Sequence, residues 1–268
     1  MKRPVYSFIY GIFVCLFVIA CVTLICKWDC VKNNFTGESK NIVLAKGNTI
    51  TYSKEVFLTF DDGPSINNTT KILNILQQNG VKATFFIVGE KAKENPSILK
   101  QLSDSGMSIG VHTYSHNYKE MYSSLDAYLE DFQVCKNIIK NITGKDSIVF
   151  VRLPGGSDNL AASVSNLNII KKTLKGNGMK YVDWNVASGD ADKRFVSKDI
   201  IKQNVIDGCK NKKIAVVLMH DSYYKTSTVE ALPDIISYLK KEGFVFRTFD
   251  GITLEEEFRM TDKGIINR

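Results

Sequence analysis

The stretch FLTFDDGPS, residues 57–65, runs apolar to Phe60 and then breaks into two adjacent acids, Asp61 and Asp62, ahead of Gly63 and Pro64. Neighbouring carboxylates repel each other, and a buried strand gains nothing by ending in them. The chain has 3 histidines, His112 and His116 in HTYSH and His220 in VVLMHD, and each closely follows a short apolar run. Imidazole and carboxylate together suit Zn²⁺, and a catalytic zinc keeps three protein ligands and one open position. A spacing of four places His112 and His116 on one face of a helical turn. With one acid of the Asp61–Asp62 pair they complete a three-ligand set. The other acid then stays free as a base, and the ion, the largest local charge, offsets the repulsion between the two. Gly63 and Pro64 provide the tight exit that such a corner needs. A His₂Asp set also accepts Co²⁺, Ni²⁺ or Mn²⁺. Arg152 in VRLPGGS, and Asp183 and Trp184 in YVDWN, follow apolar runs in the same manner.

Positioning these groups requires strands that end together. Short apolar or β-branched runs occur at 56–60, 83–88, 108–111, 148–152, 181–186, 214–219 and 244–249. Between them lie stretches of helical period at 67–78, 96–105, 123–142, 198–209 and 229–241, several of them stopped by glycine. Strands alternating with helices predict βαβ units and a parallel sheet, and their continuous apolar character fits burial on both faces. Periodicity leaves a doubly wound sheet and a barrel equally open. Both gather active-site residues at the carboxyl ends of the strands. Residues 251–268 read as a charged tail.

The chain has 268 residues, 44% hydrophobic content and a formal net charge of +7, enough for one large α/β domain. Lysine is dispersed along the chain, and no basic cluster is interleaved with aromatics, which sets nucleic acid aside. Lys2 and Arg3 precede an uncharged run from Val5 to Cys26, followed by Lys27, Trp28 and Asp29. About 20 apolar residues cross a bilayer, and Trp28 suits its interface. An uncleaved, single-pass anchor over 1–30 is expected, with the remainder outside the cell. Val18-Ile19-Ala20-Cys21 resembles a bacterial lipoprotein cleavage box, the competing route to the same side through Cys21. Residues 31–53 read as a polar linker. Of 6 cysteines, Cys135 and Cys209 fall in the soluble part as ordinary apolar residues. No C-x-x-C spacing supports a thiolate metal site.

TFDDGP, HTYSH, RLPGG, VDWN and LMH resemble, in order and spacing, the five motifs of the polysaccharide deacetylases, carbohydrate esterase family four with its NodB homology domain. The resemblance spans roughly residues 54–250. It implies a distorted (β/α) barrel of about seven parallel strands and metal-dependent removal of N-acetyl, sometimes O-acetyl, groups from polysaccharide. By position, Asp61 resembles the catalytic base and Asp62, His112 and His116 the metal ligands. Arg152 resembles the residue that orients the base, His220 the general acid and Asp183 the partner that tunes it. Trp184 and Leu218 resemble the walls that receive the acetyl methyl, and Gly155 offers a backbone N–H to the substrate where the family usually carries an aromatic. The implied substrate is an acetylated glycan polymer, foremost N-acetylglucosamine of peptidoglycan. N-acetylmuramic acid, chitin oligomers, exported poly-N-acetylglucosamine and acetylated xylan are the alternatives. A catalytically silent glycan-binding protein on this scaffold is disfavoured, because a pure binder has no need of a base and an acid.

Overall fold

The computed structural model describes residues 53–268 together with two short strands before them. Those strands, β1 (Val43–Leu44) and β2 (Ile50–Thr51), pair antiparallel in a unit of their own. Among the described residues no helix is long and apolar enough to cross a membrane. The run Val5–Cys26, expected as an anchor, lies outside them, as does most of the expected linker.

The larger unit, Ser53–Arg268, is built on one parallel sheet. Its strands are β3 (Lys54–Asp61), β4 (Thr84–Ile87), β5 (Ser108–Val111), β6 (Phe150–Val151), β7 (Lys180–Tyr181), β8 (Val186–Ala187), β9 (Ile214–His220) and β10 (Phe244–Phe246). The path runs β7-β6-β5-β4-β3-β9-β8, with β10 paired to the first half of β3. Seven strands along that path form an incomplete barrel. The helices are α1 (Thr69–Gln78), α2 (Gly89–Glu94), α3 (Pro96–Asp104), α4 (Tyr118–Met121), α5 (Leu125–Thr143), α6 (Val164–Gly176), α7 (Lys198–Cys209), α8 (Thr226–Lys241) and α9 (Leu254–Asp262). The strand expected over 181–186 is two strands, β7 and β8, at opposite edges of the sheet. Asn185 makes the crossing: its side chain donates to Ile214 O at 2.9 Å and accepts from Val216 N at 2.8 Å.

Alternation along β3 separates two cores. Val56, Leu58 and Phe60 join the outer cluster with Ile72, Leu73 and Leu76 of α1. Phe57 belongs to the inner cluster with Phe86, Phe150, Val216 and Phe249. Met260, Ile265 and Ile266 complete that inner cluster, so residues 251–268 are not a solvated tail. Helix α9 opens with a capping box between Thr253 and Glu256, and Arg259 donates to the buried Glu55 at 2.8 Å. Burial first, then the neighbouring Glu256, pushes the Glu55 carboxyl up to about 7. Ile266 bridges Val182 antiparallel, and Asn267 N bonds Tyr181 O at 2.9 Å. The last residues therefore cover the β7 edge that the sheet leaves unpaired.

Candidate active site

Strand register brings the chemistry to one rim. Asp61 and His220 are direct partners at the carboxyl ends of β3 and β9. Val111 of β5 pairs Val151 of β6, which sets His112 and Arg152, the next residues, side by side. The two acids diverge because Asp62 takes a left-handed backbone conformation, φ 76°, rare for a non-glycine residue and unfavourable by about 1–3 kcal/mol. Asp61 turns inward to Arg152, whose Nη1 donates to its two carboxylate oxygens at 3.1 and 3.2 Å. Asp62 turns to the imidazoles: its Oδ1 is 3.5 Å from His112 Nε2 and 3.3 Å from His116 Nε2.

Arg152 is fully buried and over-determined. Its Nε donates to Val182 O at 2.8 Å and its Nη1 to Thr59 Oγ1 at 3.1 Å. The guanidinium lies 4.4 Å from the Phe86 ring centre and 5.4 Å from that of Trp184. The Arg152 carbonyl accepts a 2.7 Å bond from His112 Nδ1. That bond puts the proton on Nδ1 and leaves the Nε2 lone pair free, the outer-shell arrangement of a metal-ligating histidine.

Asp62, His112 and His116 present ligand atoms all within 4.8 Å of one another, and this donor set fits a divalent ion. Burial alone would raise the Asp62 pKa. Its contact with His112 and then the charge of His220 outweigh burial, and hold the carboxyl below the usual range. Burial, then the neighbouring His112, lowers the His116 pKa and favours the neutral, ligating form. The convergence of the two histidines does not come from a helical turn. Residues 112–117 form an irregular loop, with φ 69° at Thr113 and φ 54° at His116. Asp131 of α5 pins this loop, accepting from Ser115 N at 3.0 Å and also from Tyr114 N. Sequence reasoning missed Asp131, whose only signal is an acid on an otherwise ordinary helix face.

The partner of His220 is also different from the one expected. Asp183 accepts from Ser157 N at 3.0 Å and from the Ser157 hydroxyl, so it braces the loop after β6. Asp190 holds His220 instead: its Oδ1 is 2.7 Å from Nδ1, and its Oδ2 accepts from His220 N at 2.8 Å and Thr228 Oγ1 at 2.8 Å. The reason is geometric. The chain leaves β7, crosses to β8 and loops back, and this return carries Asp190 to the end of β9. Burial would lower the His220 pKa, but the bond to Asp190 and its charge outweigh it and lift the imidazole to about 9. The same bond, working against burial, lowers the Asp190 pKa.

The remaining expected residues lie on the same rim. Trp184 and Leu218 are half-buried, and Leu218 pairs in register with Thr59 and Ala187. Gly155 is exposed at φ 78°, and a Cβ there would meet Asn159 Cβ at 3.0 Å and Tyr118 Cε1 at 3.2 Å. Gly63, between the acids and Pro64, is sterically committed: a Cβ there would stand 2.5 Å from Cγ of the fully buried Asp221. Gly63→Ala is expected to destabilise the fold at the upper end of the ~1–3 kcal/mol typical of overpacking. Thermal denaturation checks this, and an unchanged Tm refutes it.

An arginine-bound carboxylate, a His₂Asp cluster and an acid-bound histidine at the carboxyl rim of a parallel sheet are the arrangement that the resemblance to the polysaccharide deacetylases predicts. The chain belongs to the polysaccharide deacetylase family, matched over residues 49–187. It is 34% identical over 200 residues to a peptidoglycan-N-acetylglucosamine deacetylase of Bacillus cereus, covering 73% of this chain and 69% of that protein. It is 30% identical over 216 residues to the peptidoglycan-N-acetylmuramic acid deacetylase PdaA of Bacillus subtilis, covering 78% and 75%. In structure it resembles the catalytic domain of peptidoglycan N-acetylglucosamine deacetylase from Eubacterium rectale. There the TM-score is 0.69 at 30% identity, covering 81% of this chain and 93% of the other.

Proposed function

We propose that this protein is a metal-dependent hydrolase that removes N-acetyl groups from N-acetylglucosamine of peptidoglycan. The observation that carries this reading is the pairing of Asp61 with Arg152 and of His220 with Asp190 around the Asp62–His112–His116 triad. Zinc suits the donor set best. When bound it would polarise the acetyl carbonyl and acidify the attacking water. Asp61, fixed by Arg152, accepts the water proton at a carboxylate oxygen. His220, kept charged at neutral pH by Asp190, delivers a proton to the departing amine nitrogen. Arg152 is a positioning residue, and Trp184 and Leu218 supply apolar surface for the acetyl methyl. Attachment to the outer face of the cell membrane through Val5–Cys26, or through a lipid on Cys21, completes the proposal and would place the domain against the wall.

The B. subtilis relative named for N-acetylmuramic acid makes that sugar the second reading. Acetate release by the full-length chain, with and without added Zn²⁺, decides between them on peptidoglycan whose products are resolved by sugar. Metal-dependent acetate from N-acetylglucosamine is the expected result. Acetate from muramic acid residues alone would move the target, and none from peptidoglycan or N-acetylglucosamine oligomers would overturn the reading.

A further inference from the structure

Gly155, whose N–H is expected to face the substrate, has a second donor beside it. This is the hydroxyl of Tyr118, the first residue of α4. Among the described residues neither group donates to a protein acceptor. The two are close neighbours, since the Tyr118 oxygen lies only 3.4 Å from where a Gly155 Cβ would stand. The Tyr118 ring also meets His116 edge to face, with ring centres 5.2 Å apart. The ring therefore sits between a metal-ligating imidazole and a free backbone N–H, and it is half-buried rather than sealed.

Both donors are held in place by the protein. Tyr122 meets the Tyr118 ring at 6.0 Å and donates to Pro154 O at 2.9 Å, which ties the end of α4 to the residue before Gly155. Gly156 N donates to Leu153 O at 2.8 Å, and Asn159 Nδ2 donates to Gly156 O at 2.8 Å. These bonds close the turn that keeps Gly155 at φ 78°. The missing side chain at 155 leaves the room that the phenol fills.

In amide hydrolysis negative charge develops on the acetyl carbonyl oxygen. Donors already fixed around that oxygen stabilise the charge without having to rearrange. A hydrogen bond to a charged acceptor is about twice as strong as a neutral one. A donor aimed at this oxygen therefore favours the transition state over the bound amide. An amide that presents its carbonyl to the triad brings the oxygen toward the wall where Tyr118 and Gly155 stand.

We infer that Tyr118 is a further catalytic residue, whose hydroxyl donates a hydrogen bond to the acetyl oxygen as that oxygen gains charge, alongside the Gly155 N–H. The inference rests on the deacetylase reading and deepens it. It adds a side-chain donor from the same segment of chain that carries His116.

The test compares the full-length, zinc-loaded wild type with Tyr118→Phe, which removes one oxygen and keeps the ring that packs on His116 and Tyr122. Tm and zinc content are expected to stay unchanged. The binding probe is an N-acetylglucosamine tetrasaccharide in which a methylphosphonyl group replaces one N-acetyl, so that charged tetrahedral oxygens stand where the acetyl oxygen gains charge. By calorimetry Tyr118→Phe should bind this probe roughly tenfold or more weakly, the loss of a charge-assisted bond. Acetate release from the unmodified tetrasaccharide should show kcat lowered roughly 10–100-fold, with KM within about threefold of wild type. Probe binding equal to wild type, or loss of zinc from the variant, overturns the inference while acetate release by wild type keeps the deacetylase reading. A wild type that binds the probe more tightly than the variant, yet releases no acetate from the tetrasaccharide or from peptidoglycan, overturns the deacetylase reading and leaves the hydroxyl assigned.

Discussion

Asp62→Ala and His112→Ala are each expected to remove bound metal and activity together, while Asp61→Asn keeps the metal and loses turnover by roughly 10²–10⁴-fold. The adjacent acids can be separated in this way because the backbone has already separated them. The left-handed conformation at Asp62 sends its carboxylate to the two Nε2 atoms, and Asp61 stays on the guanidinium of Arg152. Asp62 is held ionised by its contact with His112 and by the charge of His220, as a ligand must be. His112 offers a lone pair because its other nitrogen is engaged by the Arg152 carbonyl. Metal content after dialysis, read alongside acetate release, checks both halves. An Asp61→Asn protein that keeps its turnover would sink the base assignment. One that loses its metal would show that Asp61 is a ligand.

The second large effect concerns pH. His220 has its pKa at about 9 because the bond to Asp190 overcomes burial. As a general acid it works while protonated, so the rate should hold through neutral pH and fall as pH rises through about 9. Asp190→Asn removes the charge and should return the imidazole toward its ordinary value of about 6.5 or below. The alkaline limb of kcat/KM then moves down by two units or more, and activity at pH 8 drops far more than at pH 6. The stability linkage has the same sign. A raised histidine pKa stabilises the fold fully below the unfolded value near 6.5. That contribution is lost as pH rises through about 9. Asp183→Asn is the contrasting variant. It touches Ser157 rather than His220, so the alkaline limb should stay in place. A limb that shifts with Asp183→Asn and not with Asp190→Asn would reverse the assignment.

How much of this was legible in the sequence follows from how local each signal is. The seven strand runs were visible because strands buried on both faces are continuously apolar, and β5 and α7 fall where the pattern placed them. Asp61, Asp62, His112, Arg152 and His220 were legible as rim residues because each stands at the end of such a run or within two residues of it. Asp190 was not, since reaching His220 depends on the chain crossing from one sheet edge to the other and looping back. No spacing in VDWNVASGD encodes that path. Asp131 was hidden for a related reason: an acid on an amphipathic helix looks solvated until the loop that it pins is in place. The C-terminal stretch misled because Glu255, Glu256 and Glu257 dominate its composition. They are first-turn helix residues, where acids are favoured, and the apolar positions behind them enter the inner core.

That inner core joins the two ends of the domain. Glu55 and Arg259, which meet beneath it, are 204 positions apart, and Phe57 shares its cluster with Met260, Ile265 and Ile266. Such long-range closure is slow. During synthesis β3 must wait, with Phe57 uncovered, until nearly the whole domain has emerged. A chain still emerging cannot lock into its final shape early. If the domain is passed through a membrane as an extended thread, that delay is an advantage, because the last residues to arrive are the ones that fasten the fold.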